Sequence, residues 1–278
     1  MAIKDQVYRR QRFLIWFVMA FCYLLIFFHR IAINVVADYL MVDFAITGTV
    51  LGFLAAVYSN LYAVMQIPGG LLVDYWGPRR LVALGAILAG AGSIIFGIAP
   101  GIRVAFLGRI LIGMGGSTML ISIFKYIANW YRADEFATMS GFTMLAGNMG
   151  GLLASSPFAL AVEFTGWRLP FVAIGAINLL MAASAWLVTK DSPSEAGYQE
   201  AIPRSQTIAA EKNKLEDNLN NKSLLQVLLA VLKNPYTWPP FLAAFGIFGG
   251  YMTFSGTWGV PYLMQVYHLS RDQAAHYM

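Results

Sequence analysis

Four ionisable side chains interrupt stretches that are otherwise apolar: His29 and Arg30 in one, Arg109 and Lys125 in another. Each type carries a distinct chemistry. A guanidinium presents a planar fork of donors that grips a carboxylate or phosphate bidentately, and a lysine ammonium acts as a point charge. A histidine can take up or release a proton near neutral pH. Placing a charge in an apolar segment costs several kcal/mol on insertion scales unless a cavity or partner receives it, so these residues are the first candidates for function. No Asp or Glu falls in any of the apolar segments. The alternative for Arg30 and Lys125 is that each stem lies along apolar surface and carries its charge to the nearer headgroup layer.

The apolar segments are long enough to cross a bilayer, which takes about 20 helical residues. They are Phe13 to Ala37, Thr49 to Val73, Leu81 to Ala99, Val104 to Asn129, Ala137 to Leu160, Leu169 to Thr189 and Phe241 to Tyr262. Hydrophobic residues make up 58% of the 278 and charged ones 12%, about half the usual charged share of a soluble domain. The chain reads as an all-α integral membrane protein with the lipid bilayer as its partner. Its net charge of +5 belongs to loops facing an anionic leaflet, not to nucleic acid. The start, basic residues followed by sixteen uncharged ones from Phe13 to Phe28, imitates a signal peptide but has no small-residue cleavage site, so it reads as the first span. With the N-terminus cytoplasmic, thirteen Lys and Arg fall on the inner side of the segments and three, Arg103, Arg168 and Arg271, on the outer. A cell (inner) membrane location follows. Arg30, seventeen residues after Phe13, then sits roughly 26 Å along the first helix, in the outer half of the membrane.

One stretch organises the rest. The uncharged run from Phe44 to Val73 stops at Asp74, a Gly77-Pro78 turn and Arg79-Arg80 follow, and a second uncharged run begins at Leu81. Two spans are hinged here, at a cytoplasmic turn where Asp74 can accept hydrogen bonds from a helix N-terminus or pair with an arginine. The spacing Gly70-x-Leu72-x-Asp74-x-x-Gly77-x-Arg79 resembles the loop signature between helices 2 and 3 of the major facilitator superfamily, with Tyr75 where that family often has a basic residue.

A longer resemblance narrows the branch. Phe28 to Asn34, Tyr62 with Gln66 to Gly70, Arg109-x-x-x-Gly113, and Lys125 five residues before Trp130-Tyr131 are similar to the anion:cation symporters, carriers of sugar acids, organophosphates and other organic anions. The resemblance implies a six-helix N-terminal bundle (1–189), a cytoplasmic linker (190–235) and the first helix of a second bundle (236–278), with five helices of a C-terminal half missing. In the linker, Leu224 to Leu232 reads as a short interfacial helix. The resemblance also implies a site: Arg30 binds the anionic group of a small-molecule substrate, and Lys125, Tyr62 and Asn148 join it. His29, Asp74, Arg79 and Arg109 serve coupling or gating. Asn34, Tyr58, Gln66, Tyr251 and Trp258 are further cavity-lining candidates, each equally able to be a packing residue.

Two departures bear on coupling. Proton-coupled members often have Asp before the helix 1 arginine and Glu in helix 4, where this chain has His29 and Gly116. Proton coupling by carboxylates is therefore disfavoured in this half, leaving His29, a group in the missing half, anion exchange or uniport. Ala146 to Gly151 resembles the antiporter signature without its proline, against drug efflux. A zwitterion such as a dipeptide, or a sensor role on a transporter fold, are the alternatives to anion transport. No enzyme is expected: His29, His268 and His276 have no metal-ligand spacing and no catalytic triad stands out, so neither cofactor nor metal is called for. A seven-helix receptor is excluded by the charge bias, and a retinal protein by the absence of lysine in the last segment. The run Gly113-Met114-Gly115-Gly116, inside a span, is packing chemistry and not a phosphate loop.

Overall fold

A computed structural model describes residues 2–198, 232–254 and 259–268. Among these the regular structure is helical. The chain divides into two units, residues 1–205 and 206–278.

In the first unit, α1 (Ala2–Val35) breaks at Val36 into the short α2 (Ala37–Asp43). Next come α3 (Gly48–Val64), α4 (Gln66–Gly97), α5 (Ile102–Ser117), α6 (Met119–Trp130), α7 (Ala133–Leu153), α8 (Ser156–Thr165) and α9 (Arg168–Val188). Among the described residues five stretches are long and apolar enough to cross a membrane, Gln6–Val35, Gln66–Gly97, Ile102–Trp130, Ala133–Thr165 and Arg168–Val188, and Gly48–Val64 is a shorter apolar helix. Three of the expected spans are thus interrupted, at Met65, Thr118 and around Ala154, each a single bend between consecutive helices. Helix α1 begins eleven residues before Phe13, because nothing in the charged N-terminal stretch breaks a helix once the apolar part has nucleated it.

The hinge lies inside α4. Gly77, at φ 80° and ψ 159°, separates two helices across a kink, and Pro78 opens the second as its first residue. Only glycine fits: the backbone angle disfavours a side chain, and a Cβ would lie 2.6 Å from the Asp191 carboxylate.

Helix α4 packs most extensively on α9 and α5, α1 on α7, and α3 on α5. Close approach decides these contacts. A Cβ on Gly92 would lie 2.6 Å from the carbonyl oxygen of Gly108, and one on Gly108 equally close to that of Gly92. Between apolar helices in lipid, association rests on such backbone-to-backbone packing. Gly115, from the run read as packing chemistry, sits in α5 against Gly85 of α4. The core falls into two clusters, one around Met19, Tyr23, Ile26, Tyr126 and Trp130, the other around Phe28, Leu40, Phe96, Trp167 and Phe171.

In the second unit, a 3-10 turn at Pro235–Thr237 leads into α10 (Trp238–Thr253), and α11 spans Gly259–Tyr267. Within this unit Phe241, Leu242, Phe245, Ile247 and Phe248 are exposed, and Gly246, Gly249 and Gly250 have open space beside them. The anticipated interfacial helix at 224–232 lies, but for Leu232, outside the described residues, as does Trp258.

Candidate substrate cavity

Arg30 and Asn34 are one turn apart on α1 and so share a face. They meet Ala55, Tyr58 and Ser59 of α3 and Arg109 of α5 around a cavity of about 290 Å³. Arg30 is exposed, its guanidinium 5.5 Å from the Phe27 ring centroid. Arg109 is buried at 1% exposure. Its Nη1 donates to the carbonyl oxygen of His29 at 2.7 Å, and its guanidinium carbon lies 4.9 Å from the centre of the Tyr58 ring. Its Nε has no partner among the described residues. Tyr62, one turn below Tyr58, stacks on it with centroids 6.1 Å apart. Among the described residues no carboxylate lines the cavity.

The remaining candidates lie elsewhere. The His29 ring is fully buried in the core against α9, stacked on Phe171, with Nε2 3.2 Å from Nδ2 of Asn178. That amide also donates to the carbonyl of Ile174 at 3.1 Å. Asn148 is exposed on α7 and lines none of the cavity. Of the other cavity candidates, Asn34 and Tyr58 line it and Gln66 does not.

At the hinge, Lys125 of α6 reaches Asp74, with Nζ 2.5 Å from Oδ1. Asp74 thus meets a lysine and not an arginine, because it ends the helix before Gly77 on the side facing α6. The helix N-terminus after Gly77 is taken by another acid: Asp191 accepts from the backbone N–H of Arg79 at 2.6 Å. The Arg79 side chain donates to the carbonyl of Trp186 at 2.8 Å and lies over that indole, 4.8 Å from its centroid. Burial raises the Asp191 carboxyl above its ordinary value, outweighing the Arg79 N–H that lowers it.

Asp191 was not legible as a hinge residue, since 112 positions separate it from Arg79 and it opens a polar stretch. The one signal is its place beside Lys190, which directly follows the uncharged span ending at Thr189. The same segment is tied down further. Asn129 donates to the Asp191 carbonyl, Trp130 to that of Lys190, and Tyr198 to Oε1 of Gln11. The first part of the expected linker therefore belongs to the first unit.

Two further clasps close the ends of the spans. Arg12 holds Glu135 through two bonds of 2.8 and 2.7 Å and covers the Tyr131 ring at 4.6 Å. At the other end, Asp43 accepts from Trp167 at 2.8 Å and from Arg168 at 2.5 Å. Hydrogen bonds from that indole and guanidinium hold its carboxyl below the usual range.

Residues 19–278 match the family model of the Major Facilitator Superfamily. The chain belongs to that superfamily. It is 25% identical over 186 residues to the Probable sulfoacetate transporter SauU of Cupriavidus necator, covering 67% of this chain and 43% of that protein. To the hexuronate transporter of Bacillus subtilis it is 24% identical over 221 residues, covering 76% and 51%. The chain thus spans about half the length of these relatives. A solved bacterial homologue of the human lysosomal transporter Spinster, inward-facing and occupied, superposes with a TM-score of 0.64 at 20% identity, over 94% of this chain and 56% of that one. This likeness bears on the fold alone, and the all-α major facilitator fold expected from the sequence agrees with it.

Proposed function

We propose that this protein is the N-terminal part of a secondary transporter that carries a small organic anion by alternating access, with Arg30 binding the anionic group. One observation carries the reading: among the described residues, the cavity between α1, α3 and α5 is lined by two guanidinium groups and no carboxylate. A cation inside a membrane protein needs a counter-charge, and here an anion in the cavity supplies it. The named cargoes of the relatives, sulfoacetate and hexuronate, are both anions. In this reading the N-terminus is cytoplasmic, and a second helical bundle supplies the other wall of the site. Tyr62 does not itself line the cavity and is assigned to the site through its stacking on Tyr58. The Lys125–Asp74 pair supports assigning Lys125, with Asp74 and Arg79, to the cytoplasmic gate.

The test is a panel of sugar acids, organophosphates, dicarboxylates and dipeptides, read as thermal stabilisation of the purified protein expressed with whatever follows residue 278 in its gene. An anion gives the shift, Arg30→Ala abolishes it, and Arg30→Lys keeps the charge but loses the fork and binds more weakly. Undiminished binding by Arg30→Ala would leave Arg30 as a residue that merely reaches the headgroups. Uptake of the hit by reconstituted vesicles separates a carrier from a sensor. A cysteine at position 103 is expected to label from outside and one at position 12 from inside.

A further inference from the structure

Arg109 sits at the floor of the cavity in a state that its own protein environment leaves incomplete. It is a cation at 1% exposure inside a membrane span, and among the described residues no carboxylate lies within ion-pair distance of it. One backbone carbonyl, that of His29, and the face of the Tyr58 ring are what it meets, while its buried Nε donates to nothing. A carbonyl and a ring face supply partial charge only. Breaking a buried pair is costly because the remaining charge is uncompensated, and Arg109 rests in that situation already. It borders the same 290 Å³ space as Arg30.

From this we infer that the transported anion carries two acidic groups, one held by Arg30 and the other facing Arg109. This rests on the anion reading of the cavity and names its substrate class as dianionic. Arg30, exposed and adaptable, receives the first group as the substrate enters. Arg109, held in place by His29 and Tyr58, takes the second without reorganising. Asn34 and Ser59, on the same wall, provide neutral hydrogen-bonding groups for what lies between. A monoanion leaves one guanidinium without a counter-charge and binds more weakly.

The experiment compares matched ligands on the unaltered protein, so that no variant has to fold: a series of six-carbon sugar acids with one carboxylate against the series of diacids of the same carbon number. Expected is a tenfold or greater preference for the diacid. The variant arm is Arg109→Lys, which keeps the charge: it should lower diacid affinity several-fold while moving monoacid affinity little. Equal affinity for mono- and diacid overturns the inference while leaving the Arg30 reading intact. A monoacid that binds as tightly as the diacid only when chloride is present also overturns it, giving the Arg109 position to an inorganic anion. If no anion in either series binds, it is the anion reading itself that fails.

Discussion

The cavity and the rim at the Gly77 end of the helices treat their cations in opposite ways. At the rim the charges are answered from within: Arg12 has Glu135, Lys125 has Asp74, Arg132 has Asp134, and Arg79 has the Trp186 carbonyl. In the cavity, Arg30 and Arg109 have no acid among the described residues. On the proposed reading the difference separates charges that hold helices in register from charges left available to a substrate. It also makes the two regions answer differently to mutation: removing a cavity cation removes ligand affinity, whereas removing a rim cation removes stability or changes switching.

The largest expected effect is in the cavity. Arg30→Ala should weaken the binding anion by a hundredfold or more, about 2.7 kcal/mol, with little change in the melting temperature of the unliganded protein. A lower unliganded melting temperature with unchanged affinity would erase the contrast, since Arg30 would then behave as a rim residue.

Next comes Arg12→Ala, which leaves the Glu135 carboxylate without its bidentate partner and should cost about 2 kcal/mol of stability by chemical denaturation in detergent. Ligand affinity in that variant should hold.

Asp191 sharpens the comparison, because it is an acid whose burial makes its charge costly. Asp191→Ala removes the cap on the helix after Gly77 and should cost about 1 kcal/mol. Asp191→Asn keeps an oxygen for the Arg79 N–H and removes the charge. A carboxyl raised in the folded state gives stability that is complete below its unfolded value, about 3.9, and is lost as pH rises through the folded value. The parent protein should therefore lose stability relative to Asp191→Asn between about pH 4 and neutrality. An identical pH profile in the two proteins refutes the assignment.

The smallest effect on stability is expected at the Lys125–Asp74 pair, whose side chains are 29% and 60% exposed. Asp74→Asn should cost less than about 1 kcal/mol. Its effect should instead appear as slower transport with binding largely intact. A large loss of equilibrium affinity at unchanged turnover would place Asp74 with the cavity and not with the gate.

Much of this architecture is written in local pattern. Apolar length and the glycine-proline punctuation at Gly77-Pro78 mark the spans and the hinge, because a bilayer imposes helix and length on any apolar segment. The lysine and arginine bias sets an expected sidedness, and the four in-span ionisable groups are visible as residues whose place in apolar segments demands a reason. Which charge meets which is a different kind of fact. Asp74 meets Lys125 across 51 residues and Asp191 reaches Arg79 across 112. The His29 ring turns into the core towards Asn178 while its carbonyl anchors Arg109, and Asn148 falls outside the cavity altogether. These pairings depend on the rotation and height of one helix against another, set by contacts such as Gly92 on Gly108. Spacing along a helix says which residues share a face; only packed neighbours decide what that face looks upon.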